Sequence, residues 1–215
     1  MPNTAYNAVT RRSALLTGLA AALPGGAALA QARPRIVTLL GDSITAGLGL
    51  PARDALPFQL ELELRRLGVA TARVRGAGVS GDTSAAGLRR VDFSVQSDSA
   101  LCIVALGGND LLQGLDPTRT RDNLDRILAK LKARRIGLVL AGMRPPPALG
   151  RSYARDFSAV FPALARKHGA ALYPDLLAGV AGNPRLNQRD GIHPNAQGVK
   201  IIARGLAPVA ARALR

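Results

Sequence analysis

The chain has 215 residues, a formal net charge of +15, 47% hydrophobic and 20% charged residues, and one cysteine, Cys102. This suits a single ordinary domain that folds without metal or disulfide staples, and it excludes a disordered or collagen-like chain, an internal disulfide framework and a cysteine-rich zinc site. The basic residues are mostly arginines scattered singly or in pairs, aromatics are 3% and tryptophan is absent, so neither a basic run nor a stacking platform points to nucleic acid.

Residues 1–32 contain no acid. Arg11 and Arg12 precede an apolar run over 14–23, then Pro24-Gly25-Gly26 and a small-residue stretch to Ala32. This is the layout of an export signal, and Thr10-Arg11-Arg12-Ser13-Ala14-Leu15 looks like the twin-arginine type. The run is too short for about 30 Å of hydrocarbon, so no stable membrane insertion is expected. Cleavage after Ala30 or Ala32 would leave a periplasmic or secreted domain over 33–215.

Beyond the leader, short apolar runs alternate with longer amphipathic ones. A strand is predicted over 36–40, ended by Gly41, and a helix over 58–67, stopped by Gly68. Strands follow over 69–75 and 101–106, then a helix over 118–135 with Leu124, Ile127, Leu128 and Leu131 on one face. A fourth strand is predicted over 136–141, and a helix over 152–167 with a bend or break at Pro162. A short fifth strand over 170–173 and a final helix over 196–214, disturbed at Pro208, complete the chain. The alternation predicts an α/β fold, a parallel sheet covered by helices on both faces, with ligands at the carboxyl ends of the strands. The polar clusters Gly41-Asp42-Ser43, Ser80-Gly81-Asp82 and Gly107-Gly108-Asn109-Asp110 fall there.

Ser43 follows a buried strand at a helix start. Serine there is ordinarily an N-cap, and the Gly-x-Ser-x-Gly elbow is absent; as a nucleophile it needs a base and an orienting acid. Of the two histidines, His168 ends a basic helix and reads as a surface residue. His193 lies in Asp190-Gly191-Ile192-His193-Pro194-Asn195, where Pro194 disfavours helix and Asp190 is spaced to accept its Nδ1 proton; a turn with a solvent histidine is the plainer alternative. Gly81 offers an unobstructed backbone N–H and Asn109 a side-chain amide for an oxyanion, although both also suit plain turns. Gly76-Ala77-Gly78-Val79-Ser80-Gly81 matches G-x-G-x-x-G, but it follows the second strand and lacks a well-placed acid, which argues against a dinucleotide cofactor. A metal cluster of Asp42, Asp82, Asp110 and Asp190 is not expected either.

Together Gly41-Asp42-Ser43-Ile44, Ser80-Gly81-Asp82-Thr83, Gly107-Gly108-Asn109-Asp110 and Asp190-Gly191-Ile192-His193 resemble the four blocks of the SGNH (GDSL) hydrolase family, in the family's order. The resemblance runs from about residue 35 to the C-terminus. It implies a flavodoxin-like three-layer α/β/α sandwich on a five-stranded parallel sheet. It also implies esterase, thioesterase, arylesterase or lysophospholipase activity on small acyl substrates, with no cofactor. Residue by residue it implies Ser43 as nucleophile, His193 as base, Asp190 as its orienter, and the Ser43 amide, Gly81 and Asn109 as the oxyanion hole. It places Asp42 and the loop residues Met143, Arg144 and Pro145 at the substrate. That loop, Met143 to Pro147, is more proline-rich than the resemblance leads one to expect. A carbohydrate O-acetyl esterase on the same scaffold and a non-catalytic basic binding module stay as alternatives.

Overall fold

The computed structural model describes residues 33–146 and 149–215. The export-signal expectation falls on residues outside that range.

Five strands form one parallel sheet in the order β2-β1-β3-β4-β5. They are β1 (Arg35–Gly41), β2 (Ala72–Gly78), β3 (Ser99–Ala105), β4 (Gly137–Ala141) and β5 (Ala171–Tyr173). The chain steps from β1 outward to β2, then returns past β1 to β3 and continues to β4 and β5. Right-handed crossovers therefore put the helix after β1 on one face and those after β2, β3 and β4 on the other. Helix α2 (Leu56–Arg66) packs against the terminal helix α7 (Ala196–Ala213), while α3 (Ser84–Ser94) packs on α5 (Pro117–Ala133) and α5 on α6 (Arg151–His168). The sheet is thus covered twice, which is why β1 and β3 are nearly unbroken apolar runs: Val37, Leu39, Leu40, Leu101, Ile103 and Val104 are all fully buried. This is the three-layer arrangement expected of the sequence.

Three departures have physical causes. Neither proline breaks its helix: α6 runs through Pro162 and α7 through Pro208. A proline inside a helix costs about 3 kcal/mol, but Phe157, Val160, Phe161 and Leu164 are buried on α6 around Pro162, each contributing roughly 1.5–3 kcal/mol, so packing wins. Strand β2 starts three residues later than the periodicity predicts. Gly68 and Val69 close α2 by donating to the carbonyls of Arg65 and Leu64, and the strand instead takes in Gly76 and Gly78. Helix α3 gave no sequence signal because only Ser84, Gly87 and Val91 are buried on it. Its signature is the Thr83 cap, whose hydroxyl accepts from Ala86 N–H.

The order 2-1-3-4-5 reverses direction between β1 and β3. Their carboxyl ends flank the crevice where this topology binds ligands, and two short helices start there: α1 (Ser43–Ala46) after β1 and α4 (Gly108–Leu112) after β3.

Candidate active site

Strand β1 ends at Gly41, and Asp42 turns the chain into α1, its carboxylate accepting from Ile44 N–H at 3.0 Å. Ser43 thus becomes the first residue of a one-turn helix, 8% exposed at the sheet rim. The last glycine of β2 is explained here. A Cβ on Gly78 would stand 2.3 Å from the Ala46 nitrogen and 2.7 Å from the Asp42 oxygen, so only glycine lets β2 lie against α1. That close approach accounts for Gly78; Gly76 instead faces Pro57, whose Cγ stands 3.1 Å from where a Cβ on Gly76 would be.

Beyond β2, Val79 donates to Gly41 O and Asp82 to Val79 O, folding the Val79–Asp82 turn back over the end of β1. Gly81 sits in this turn at φ +85°, exposed and with open space around it. From α4, the Asn109 side-chain amide donates to Asp82 O at 2.9 Å. The neighbouring Asp110, 1% exposed, accepts from the Ser84 amide and hydroxyl and from the Thr120 hydroxyl. The second and third motifs are thereby locked to each other.

The fourth motif arrives from a loop 150 residues away in sequence. His193 Nε2 lies 2.9 Å from Ser43 Oγ, and its Nδ1 lies 2.6 Å from Asp190 Oδ2. The other Asp190 oxygen accepts from the amides of Ile192 and His193, and these bonds pull its carboxyl down from 3.8 to about 2. Asp190 is therefore ionised and can only accept, so Nδ1 carries the proton and Nε2 presents a lone pair to the Ser43 hydroxyl. Gln188 fixes the loop in place: its amide N–H donates to His193 O, and its side chain donates to Leu48 O and Pro194 O. The arrangement can deprotonate the Ser43 hydroxyl and hold the resulting imidazolium beside a permanent negative charge.

The family profile described as "GDSL-like Lipase/Acylhydrolase family" matches residues 39–201. The chain belongs to the GDSL-like lipase/acylhydrolase family. It is a hydrolase, a serine esterase of that family. Over 165 residues this acylhydrolase is 38% identical to the esterase TesA of Pseudomonas aeruginosa, covering 76% of this chain and 82% of that one. It is 36% identical over 170 residues to the thioesterase 1/protease 1/lysophospholipase L1 of Escherichia coli K12, covering 79% and 80%. The crystal structure of AlinE4, an SGNH-hydrolase family esterase, superposes with a TM-score of 0.70 at 46% identity, covering 85% of this chain and 98% of that chain.

Several residues of this GDSL hydrolase sit where the sequence did not put them. His168 is no surface residue. It is 8% exposed on the last turn of α6, with Nε2 2.6 Å from Asp125 of α5, because the packing of α5 on α6 covers that turn. Asp42 and Met143 are 2% and 5% exposed and Pro145 is buried, so of the four residues expected at the substrate only Arg144 presents its side chain to solvent. The Met143 methyl group stands 3.6 Å from where a Cβ on Gly108, at the start of α4, would be. The four aspartates considered as a metal cluster are engaged separately, Asp42 as a cap, Asp82 with Arg90, Asp110 with Ser84, and Asp190 with His193.

Arg90 is the residue that sequence reasoning missed. From α3 its guanidinium donates to Asp82 Oδ2, to Ala77 O at the end of β2 and to Gly41 O at the end of β1, joining the serine turn to the turn that carries Gly81. Helical spacing from Thr83 would have put it on the same side of α3 as Gly87, but only the fold aims it at the rim.

Burial pushes the Asp42 carboxyl from 3.8 up to about 6, against the Ile44 bond and the nearby His193, which lower it. Between those values the folded protein holds a proton that the unfolded chain releases, so stability falls as pH rises through the window. At neutral pH the ionised group costs about 3 kcal/mol. Asp42→Asn keeps an acceptor for Ile44, and it is expected to raise stability by as much as ~3 kcal/mol at pH 7.5 and by little at pH 4. Urea unfolding at the two pH values measures this; a difference independent of pH would contradict it.

Proposed function

We propose that the enzyme hydrolyses carboxylic ester and thioester bonds of small acyl substrates through an acyl-enzyme on Ser43. The observation that carries the reading is the unbroken line from Ser43 Oγ through His193, at 2.9 Å, to Asp190, at 2.6 Å. His193 takes the hydroxyl proton as Ser43 Oγ attacks the carbonyl carbon. The tetrahedral oxyanion is received by the amides of Ser43 and Gly81 and by the Asn109 side chain. The carbon–oxygen or carbon–sulfur bond then breaks as His193 returns its proton to the leaving alcohol or thiol. Water, deprotonated by the same Nε2, attacks the acyl-serine and releases the acid. No step calls on a cofactor.

Arg144, exposed on the loop after β4, sits on the same rim and is the candidate contact for a polar leaving group. The acid-free leader with its paired arginines supports export to the periplasm, with the mature enzyme beginning near residue 31 or 33. Among the described residues, no helix is long and apolar enough to cross a membrane.

Hydrolysis of p-nitrophenyl esters from acetyl to palmitoyl, beside the matching acyl thioesters, tests the reading. The wild type is expected to turn over members of both series. Ser43→Ala should lose the activity on both while unfolding at the same urea concentration. Turnover retained by the Ser43 variant would remove the serine from the chemistry.

A further inference from the structure

In this fold the connecting helices run against the strands, so their last turns gather where the strands begin, at the end of the sheet away from Ser43. Arg35 opens β1 beside Ala72 of β2. Helices α5, α6 and α7 close on Lys132, Arg166 and Arg212, and the Ala213 carbonyl at the end of α7 lies 3.7 Å from where a Cβ on Gly137, the first residue of β4, would be. The carboxylates at this end are Glu61, Glu63, Asp92, Asp98 and Asp125, and each is already paired, with Arg65, Arg66, Lys130, Arg75 and Lys167 respectively. Arg33, Arg35, Lys132, Arg135, Arg166 and Arg212 are exposed there, with no carboxylate partner among the described residues. The attraction of cations to helix C-termini accounts for Lys132, Arg166 and Arg212. It does not account for Arg33 and Arg35 at a strand start, or for Arg135 beyond the end of α5.

Two apolar side chains stand in water at the same end. Phe93, on the last turn of α3, is 88% exposed, and Leu67, the residue that caps α2, is 46% exposed. A duplex nucleic acid would meet the cations but offers nothing to Phe93 and Leu67. A bilayer interface with anionic headgroups takes both kinds of group, cations at the phosphates and apolar side chains at the acyl boundary.

We propose that this basic end of the molecule docks on an anionic lipid bilayer. Docked so, the enzyme turns its catalytic rim toward water, about 23 Å away along the seven residues of β1. It then acts on dissolved acyl substrates while held at the surface.

The test is co-sedimentation of the full chain with vesicles of equal parts phosphatidylglycerol and phosphatidylcholine, and with pure phosphatidylcholine, in low and in 0.5 M salt. Residues 1–32 are common to every variant, so differences between variants report the face. Expected is partition onto the anionic vesicles at about 100-fold above the neutral ones, falling with salt. The triple variant Arg35→Glu, Arg166→Glu, Arg212→Glu should lose about a hundredfold and Phe93→Ser about fivefold. All variants should keep wild-type turnover of p-nitrophenyl butyrate, which shows them folded. Equal partition on the two vesicle types, or wild-type partition by the triple variant, would overturn the proposal. So would tighter binding to duplex DNA than to the anionic vesicles at the same salt, which would assign the face to nucleic acid.

Discussion

Replacing His193 with alanine is expected to lower kcat/KM on p-nitrophenyl butyrate by about 10⁴–10⁶-fold, whereas His168→Ala stays within about twofold of wild type. The two histidines are similar in hydrogen bonding, each with an aspartate oxygen at 2.6 Å, so the contrast tests position rather than pairing. His193 Nε2 faces Ser43; His168 Nε2 faces Asp125 and joins two helices. Loss of His168 is expected to reduce stability by about 1–2 kcal/mol, because Asp125 keeps Lys167 as a partner. Activity should also fall on the acid side. Asp190 stays ionised down to about pH 2, and an imidazolium has no lone pair for the serine proton. Asp190→Asn should keep the fold and cost roughly 10⁴ in kcat, since the ring loses both its fixed tautomer and the charge beside its cation. Steady-state kinetics across pH, with urea unfolding of each variant, decide the matter. Equal losses from the two histidine substitutions would dissolve the triad.

Asn109→Ala is expected to lower kcat by about 10²–10³-fold and to change KM far less. One amide hydrogen of Asn109 is committed to Asp82 O at 2.9 Å, which fixes the plane of the amide and leaves the other hydrogen to meet a developing negative charge. A donor held in advance acts on the transition state more than on the neutral carbonyl, hence the split between the two constants. A variant with unchanged kcat would take Asn109 out of the oxyanion hole. A rise in KM alone would make it a binding contact.

The chain carries its fold in patterns that are local. Strands such as Leu101 to Leu106 are read from a run of apolar residues, and α5 from Leu124, Ile127, Leu128 and Leu131, because periodicity depends only on neighbours a few residues apart. Asp190 and His193 were legible as a pair for the same reason: three residues on one turn bring a carboxylate to Nδ1 through bonds made within the loop itself. Pro162 and Pro208 do not break their helices, because their local cost is fixed while the compensating burial comes from other elements.

What the sequence determined by itself is the alternation of strands and helices, the rim on which the polar motifs fall, and the chemistry each motif can offer. Only the tertiary structure decided which of these residues meet. It brought His193 to Ser43 across 150 positions and spread Arg90 over the ends of two strands. It buried His168 and Asp42 and brought Arg35, Arg135, Arg166 and Arg212, far apart in sequence, to the end of the sheet away from Ser43. The physical reason is common to all of these: local spacing sets which groups share a helix face or a turn, but burial, long-range hydrogen bonds and the grouping of charge are set by which elements pack together.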